Sequence, residues 1–312
     1  MNRWWIYQKE RFPLFAHGPL VFAFSASAVS FSALLRGAAS APAVGSYAVA
    51  FLVSLGSFLL LRIADEFKDA EEDARFRPYR PVPRGLVRLP ELLLVGVMVG
   101  CIQLLLTLAL AALHRAPGES LDLRLPALLL VTWIYFALMS REFFARRWLK
   151  ARPVIYLFSH MGIMPLVDWF ATGCDWAVAG GPMPAGLFWF LAASFCNGLV
   201  IELGRKIRTP DQEEAGVETY TVLWGRPMAT LAWLSAVIAT LACAWLAAQR
   251  IAFATPFALV LGPLALAATI LCALFIARPW PRLAKLFPVA SGLWTLALYL
   301  TLGVVPLLLR LS

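Results

Sequence analysis

Residues 62–85 read RIADEFKDAEEDARFRPYRPVPRG, and they begin where an apolar run from Tyr47 to Leu61 stops. Six of the chain's 18 carboxylates lie in this segment. Asp65, Asp69 and Asp73 recur every four residues, so on a continuing helix they form one stripe that rises about 6 Å per step. Like charges at this spacing destabilise a helix by themselves, so the stripe indicates a compensating cation.

The composition around this segment is that of a polytopic membrane protein. The chain is 61% apolar with a mean hydropathy of +0.76, well above the range of soluble domains. We predict one all-helical domain over residues 1–312, in which residues 1–18 form a cytoplasmic, interfacial lead-in to nine transmembrane helices. The predicted spans are Pro19–Leu35, Tyr47–Ile63, Leu92–Leu113, Leu125–Met139, Val154–Ala171, Ala185–Leu203, Met228–Ala248, Ile251–Ile276 and Pro288–Leu309.

The distribution of basic residues supports this count, because cytoplasmic loops are enriched in Lys and Arg. With the N-terminus in the cytoplasm, 22 of the 27 Lys and Arg fall on inner segments. This predicts an integral protein of a bacterial-type inner membrane, with the C-terminus outside. The net charge of +9 follows from this asymmetry and from anionic membrane lipid, so no nucleic acid partner is expected. The five scattered cysteines predict neither disulfides nor zinc.

Basic residues lie close to the acidic stripe in the chain. Seven Lys and Arg fall between Arg62 and Arg88, and three prolines stiffen the loop that brings them back toward the acids. A diphosphate ester needs both signs of charge: carboxylates hold Mg²⁺ against it, and Arg or Lys contacts the remaining oxygens. We therefore predict the three aspartates as catalytic Mg²⁺ ligands and Arg80 as a diphosphate contact. A solvated loop whose charges neutralise each other is the alternative.

A second inner segment, from Glu202 to Gly225, also combines acids with bases. The spans before the two segments both end on the inner side, so the segments can face each other across one opening. We predict that Glu202, as a catalytic residue, and Asp211, as a metal ligand, complete the cluster. Arg205 and Lys206 would stabilise the leaving diphosphate, which is the main catalytic contribution expected here.

Three further side chains are candidates for a substrate cavity. His160 lies about two turns inside a predicted span, where an ionisable residue is a functional candidate. Asn197 near the end of the next span and Glu142 in the preceding basic loop complete the set. Helix packing is the alternative for His160, and the basic residues beside Glu142 could serve topology alone. Asp168 is expected near the outer end of its span, within reach of water.

At the two charged segments the sequence resembles the UbiA family of intramembrane prenyltransferases. Asp65-x-x-x-Asp69-x-x-x-Asp73 fits the family's Asn/Asp-x-x-x-Asp-x-x-x-Asp motif, and RPVPRG at residues 80–85 is similar to its Arg-Pro-(Leu/Val)-x-x-Gly loop. The resemblance implies a nine-helix bundle with a cytoplasm-facing cavity and Mg²⁺ as cofactor. It also implies transfer of an isoprenyl group from an isoprenyl diphosphate to an aromatic or lipophilic acceptor in the membrane.

The second segment departs from the family pattern. Family members typically carry another acid about four residues after the position of Glu202, where this chain has Lys206. Thr209 stands where a further Asp is common. The exchange of an anion for Lys206 would weaken a second metal site while it offers a direct phosphate contact. Whether one or two metals bind therefore stays open, and so does the identity of the donor.

Other functions could use the same residues. Ionisation without an external acceptor would make the chain a terpene cyclase, and a phosphoribosyl diphosphate donor would make it a pentosyltransferase. A membrane transporter is the alternative from a different class, although ion pathways usually place ionisable groups along the spans. A purely structural membrane protein is the remaining alternative. Prenyl chain length, acceptor identity and oligomeric state stay undetermined.

Overall fold

Helices joined by short loops build the described part of the chain. The computed structural model describes residues 2–115, 120–214 and 216–312, and those ranges contain no strand. In chain order the α-helices are α1 (Arg3–Arg11), α2 (Leu14–Leu35), α3 (Val44–Lys68), α4 (Ala70–Phe76), α5 (Leu89–Leu113), α6 (Arg124–Ser140), α7 (Arg146–Lys150), α8 (Pro153–Met161), α9 (Ile163–Trp176), α10 (Leu187–Gly204), α11 (Tyr220–Arg250), α12 (Ala254–Ala277), α13 (Pro281–Ala284), α14 (Leu286–Leu302) and α15 (Val304–Leu311). The prediction of an all-helical fold is confirmed.

The long helices coincide with the predicted spans. Eight helical segments of the described residues are long and apolar enough to cross a bilayer, and two of them combine consecutive helices, α8 with α9 and α13 with α14 and α15. The predicted span Leu125–Met139 corresponds to α6, which has only 17 residues. At 1.5 Å per residue α6 extends about 25 Å, less than a hydrocarbon core of about 30 Å. The count of nine spans therefore stays a prediction.

Close packing fixes the helices whose ends carry the charged segments. The serines of α2 are buried, as expected for a helix whose small side chains permit close approach: Ser25, Ser27, Ser30 and Ser32. α2 packs against α9, and α9 packs in turn against both α3 and α10. Phe31 of α2 stacks on Phe190 of α10, with ring centroids 4.7 Å apart. The helices α3 and α10 are thus held relative to each other by α9.

The acidic stripe passes through a break between two helices. α3 ends at Lys68, Asp69 has φ −99° and ψ 7°, and α4 starts at Ala70. The N–H of Asp69 still donates to the Asp65 carbonyl at 2.9 Å, and the N–H of Asp73 donates to the Asp69 carbonyl at 2.8 Å. The expected continuous helix is therefore two helices, but the rise of one turn between successive aspartates is kept.

α11 begins earlier than predicted, inside the second charged segment. Its first residue is Tyr220, and the chain bends at Gly225, where φ is +75°. Glycine has no Cβ, so it adopts this conformation without steric cost. Thr219 caps the helix, since its hydroxyl accepts from the N–H of Val222 at 3.3 Å. This short first turn places the Tyr220 ring 5.4 Å from the ammonium of Lys206.

Candidate active site

The two charged segments meet at one end of the bundle. The hydroxyl of Tyr79 donates a hydrogen bond to Glu214 at 3.3 Å. Gly216 lies directly against Phe76, since a Cβ added at Gly216 would be 2.4 Å from the phenyl ring. These contacts require the loops after α4 and after α10 to lie side by side. The prediction that the segments face each other is confirmed.

Asp65 and Asp69 are the least compensated carboxylates of the stripe. The side chain of Asp65 is 39% exposed and lies 3.5 Å from Arg62 and 3.7 Å from Lys68, which are long distances for ion pairs. Burial raises the pKa of Asp69, Lys68 opposes the shift, and the neighbouring acids raise that pKa further. Burial thus disfavours the ionised carboxylate of Asp69, and a bound cation would stabilise it.

Asp73 is already paired with two arginines. It is buried, 3.1 Å from Arg77 and 2.6 Å from Arg80. Arg80 therefore lies beside the stripe, where the proline-stiffened loop was predicted to bring it. For Asp73 to bind a metal, this ion-pair cluster has to open.

Glu202 forms the second charged cluster with the two cations predicted beside it. Its carboxylate is 2.5 Å from Arg205 and 3.1 Å from Lys206. The Glu202 carboxylate raises the pKa of the Arg205 guanidinium above its ordinary value, and Asp65 of α3 adds to this effect. Asp65 and Arg205 therefore lie close enough to interact, although they come from the ends of different helices.

Glu213 and Asp211 of the second segment lie apart from the Glu202 cluster. Glu213 accepts hydrogen bonds from the hydroxyls of Thr219 and Thr221, each at 2.7 Å. Asp211 lies exposed on a 3₁₀ turn, Pro210–Gln212. The structure therefore does not place Asp211 in the cluster of Glu202, and its role as a metal ligand stays a prediction.

The carboxylates of the first segment suit a metal ion that binds together with a phosphate-containing substrate. No group of three acidic, His or Cys side chains is assembled for a metal within the described ranges. Mg²⁺ commonly uses one or two carboxylates and completes its shell with waters and substrate phosphates. Asp65 and Asp69 supply hard oxygen donors that close ion pairs do not hold. These two residues fit Mg²⁺ binding together with a diphosphate.

His160 and Glu142 lie together next to the first charged segment. The Tyr156 ring stacks on the His160 imidazole with centroids 3.9 Å apart, and the Tyr156 hydroxyl is 3.5 Å from Glu142 Oε1. The same hydroxyl accepts a hydrogen bond from Lys68 at 3.0 Å. The structure thus brings two of the predicted cavity residues beside the acidic stripe.

Asn197 and Asp168 lie deeper in the bundle. Asn197 is fully buried and accepts a hydrogen bond from Thr295 at 3.1 Å. Asp168 is fully buried as well and accepts from the hydroxyl of Tyr299 at 2.9 Å. The expectation that Asp168 reaches water is wrong, because Tyr299 of α14 packs over it.

Sequence reasoning does not single out α1 as part of the site. The predicted interfacial lead-in docks on the first charged segment through two ion pairs, Arg11 with Glu66 and Glu10 with Arg84 at 2.9 Å. A third pair, Arg3 with Glu91 at 2.9 Å, joins it to the start of α5. Glu66 is only 2% exposed. Opposite charge is the one sequence signal for these contacts, and it does not choose between many possible partners. Lys68 and Tyr156 are missed for the same reason.

Fold and site together define an integral membrane helical bundle with the acids and bases of two loops gathered at one end. A sequence model of the UbiA prenyltransferase family matches residues 20–302. The chain belongs to the UbiA prenyltransferase family, which confirms the resemblance seen at the two charged segments.

Solved structures agree with this assignment at the level of the fold. The apo structure of a UbiA homolog from Aeropyrum pernix K1 has a TM-score of 0.62 at 15% identity, covering 95% of this chain and 98% of that chain. A structure from work on digeranylgeranylglyceryl phosphate synthase in membranes has a TM-score of 0.62 at 13% identity, covering 97% and 99%. Such low identities show a shared fold alone. A comparison with curated proteins finds no significant match.

Proposed function

We propose that the chain transfers an isoprenyl group from an isoprenyl diphosphate to a lipophilic or aromatic acceptor in the membrane, with Mg²⁺ as cofactor. Family membership supports prenyl transfer, and the residues of the site support a diphosphate. The proposal places the charged end in the cytoplasm of a bacterial-type cell, because the basic loops lie on that side in the predicted topology.

One observation carries this proposal: two loops of mixed charge meet over a stripe of aspartates. Three basic side chains contact carboxylates and can exchange them for phosphate oxygens: Arg80 of the first loop, and Arg205 and Lys206 of the second. Asp65 and Asp69 lie in the same cluster and attract a cation. A metal-bound diphosphate needs both groups, whereas a free metal or a free anion would need only one.

The residues act in this reaction mainly through electrostatics. Arg80, Arg205 and Lys206 stabilise the negative charge that develops on the diphosphate as the allylic C–O bond breaks. Mg²⁺, held by Asp65 and Asp69, would neutralise phosphate oxygens of the leaving group. Glu202 orients the two cations beside it through the ion pairs described above. The apolar helices exclude water from the allylic cation until the acceptor attacks.

The test is the substitution Asp69→Asn, assayed in membranes with Mg²⁺ and labelled geranyl, farnesyl and geranylgeranyl diphosphates. We expect turnover to fall by about 100-fold or more, the scale on which the loss of one electrostatic contact acts in active sites. Glu71→Gln is the matched control, because it removes an exposed carboxylate two positions away along the chain. This control should keep nearly full activity.

The products then separate the proposal from its alternatives. A prenylated acceptor supports the transferase, while a cyclic hydrocarbon formed without acceptor identifies a cyclase. Turnover of phosphoribosyl diphosphate alone identifies a pentosyltransferase. Full turnover in Asp69→Asn would contradict the proposed mechanism, and ion flux through proteoliposomes without any diphosphate would favour a transporter.

A further inference from the structure

A turn of left-handed backbone follows α6. Glu142, Phe143 and Phe144 have φ values of 50°, 50° and 56°. Residues with a Cβ avoid this region because the Cβ crowds the following carbonyl oxygen. Such strain persists only where the surrounding structure enforces it, and it concentrates at functional sites. The contacts of this turn therefore indicate what it is for.

The turn builds the surroundings of one imidazole. Phe143 meets His160 edge to face, with ring centroids 6.1 Å apart. Tyr156 stacks on the same imidazole with an interplanar angle of 15°. Glu142, only 3% exposed, lies against the Tyr156 hydroxyl. The strained turn thus positions both aromatic rings that pack against His160, one directly and one through the Glu142 carboxylate.

Hydrogen bonding fixes the tautomer of His160. Its Nδ1 lies 2.8 Å from the backbone carbonyl oxygen of Tyr156. A carbonyl can only accept, so Nδ1 carries the ring proton and Nε2 keeps its lone pair. In the part of the chain that the structure describes, Nε2 is buried and has no hydrogen-bond partner. Buried polar atoms are nearly always paired, so this nitrogen is available to a ligand.

The His160 imidazole lies next to the first charged segment. The hydroxyl of Tyr156 accepts a hydrogen bond from Lys68 of α3 at 3.0 Å, and Lys68 lies 3.7 Å from Asp65. The imidazole stacks on Tyr156 of its own helix, and the Tyr156 hydroxyl also contacts Glu142. Because Nδ1 carries the ring proton, Nε2 keeps a lone pair that can accept a proton.

Building on the proposed function, we propose that His160 accepts the proton that the acceptor loses, and that Glu142 is a positioning residue that holds Tyr156 against the imidazole. The allylic C–O bond breaks, and its electron pair leaves with the diphosphate. An electron pair of the acceptor forms the new bond to the allylic carbon, and the acceptor's proton moves to His160 Nε2. A prenylated cationic adduct is a strong acid, so a weak base is sufficient.

A proton-accepting His160 restricts the class of acceptor. The attacking atom must carry a proton that it loses after the new bond has formed. A hydroxyl compound or an electron-rich aromatic ring meets this requirement. An acceptor without such a proton would leave the lone pair of His160 without a role.

The test measures diphosphate release and acceptor prenylation separately, with the full chain in membranes and labelled farnesyl and geranylgeranyl diphosphates as donors. Phenol, naphthol and the host membrane lipids serve as acceptors. We expect His160→Ala to bind the donors normally but to prenylate acceptors about 100-fold more slowly or worse, the scale of a lost general base. Added imidazole should restore the product. Pyrrole, a ring of the same size without a basic nitrogen, should not.

Two further variants guard against a purely structural explanation. His114→Ala is the matched control, because His114 Nδ1 makes the same contact to a carbonyl four residues earlier, at 3.1 Å, but at the end of α5. Its product yield should be unchanged. His160→Gln keeps a donor for the Tyr156 carbonyl, so it should fold normally and show the same loss of product. Glu142→Gln should lower kcat by a smaller factor, leave the KM for the donor unchanged and show no response to imidazole.

The outcomes separate the two proposals. Acceptor prenylation at the unsubstituted rate in both His160 variants, or equal rescue by pyrrole, overturns the role of His160 and leaves the proposed function standing. Failure of the unsubstituted chain to release diphosphate from either donor overturns the proposed function itself.

Discussion

Asp69 sits where its negative charge opposes folding. Burial and the neighbouring acids raise its pKa, so the folded protein holds the proton more tightly than the unfolded chain does. The folded state is therefore favoured while Asp69 is protonated. This advantage is lost as the pH rises from the unfolded pKa, about 3.9, through the higher folded pKa. At neutral pH an ionised Asp69 lowers stability until a cation compensates it.

The substitution Asp69→Asn should therefore raise the thermal unfolding midpoint in metal-free detergent solution at neutral pH. The gain should shrink as the pH falls toward about 4, where the unfolded carboxylate also begins to hold its proton. Mg²⁺ with an isoprenyl diphosphate should stabilise the unsubstituted protein and have little effect on the variant, because a ligand stabilises the state that binds it. A lower midpoint for the variant in metal-free solution would show that Asp69 is compensated from within the protein.

At the scale of elements, α1 is tied to α3 by a buried ion pair. The side chains of Arg11 and Glu66 are 10% and 1% exposed, and they lie on helices far apart in the sequence. Removing one partner of such a pair lowers the stability of the fold strongly, because the other charge stays buried without a partner. α1 is thereby part of the folded site, and the aromatic and basic composition of this stretch predicts only its affinity for the membrane interface.

Arg11→Ala should cost about 3 to 5 kcal/mol of unfolding free energy, because it leaves the Glu66 carboxylate buried and unpaired. Adding Glu66→Gln should recover much of that loss. Arg3→Ala is the control: its pair with Glu91 is 47% and 30% exposed, so its loss should cost less than about 1 kcal/mol. A double-mutant cycle from denaturant titrations in micelles measures both effects, and strictly additive losses would mean that Arg11 and Glu66 do not interact.

At the scale of the whole molecule, the site depends on the contact between its two charged loops. Gly216 and Gly225 both have φ +75°, so Ala is strained at either position. Only Gly216 has a neighbour in the way, since Phe76 fills the space a Cβ would take, whereas nothing lies within 4 Å of a Cβ at Gly225. The pair of positions therefore separates backbone strain from loop contact.

Gly216→Ala should weaken isoprenyl diphosphate binding more than Gly225→Ala does. The added methyl group pushes the second charged segment, which carries Lys206, away from the first, which carries Arg80. The Kd of each variant for a non-hydrolysable diphosphate analogue measures this difference. Equal Kd values in the two variants would show that the loops need not touch for the diphosphate to bind.

Hydropathy and charge predict much of this architecture, because long apolar runs have to become helices in a membrane. The positions of the long helices, the meeting of the two charged segments and the place of Arg80 beside the stripe all follow from such patterns. The break at Asp69 does not, since no proline or glycine marks it. The left-handed turn at Glu142 likewise contains no glycine, and tertiary contacts alone account for it.

Long-range pairing limits what the sequence can reveal about the site. Tyr156 receives its hydrogen bond from Lys68, 88 positions earlier, and no local pattern links the two. Asp168 is a second example: its place near the end of a predicted span suggests contact with water, but α14 covers it. Both residues owe their environment to the way the bundle closes.

The docking of α1 on α3 matters when the chain is shortened for expression. The part of the chain shared with the family begins at residue 20, whereas Arg11 lies before that boundary. A chain that begins at residue 20 would lack Arg11, so the Glu66 carboxylate would lose its ion-pair partner and the first charged segment would become exposed on that side. Expression designs should keep the first helix intact and carry any affinity tag at the opposite terminus.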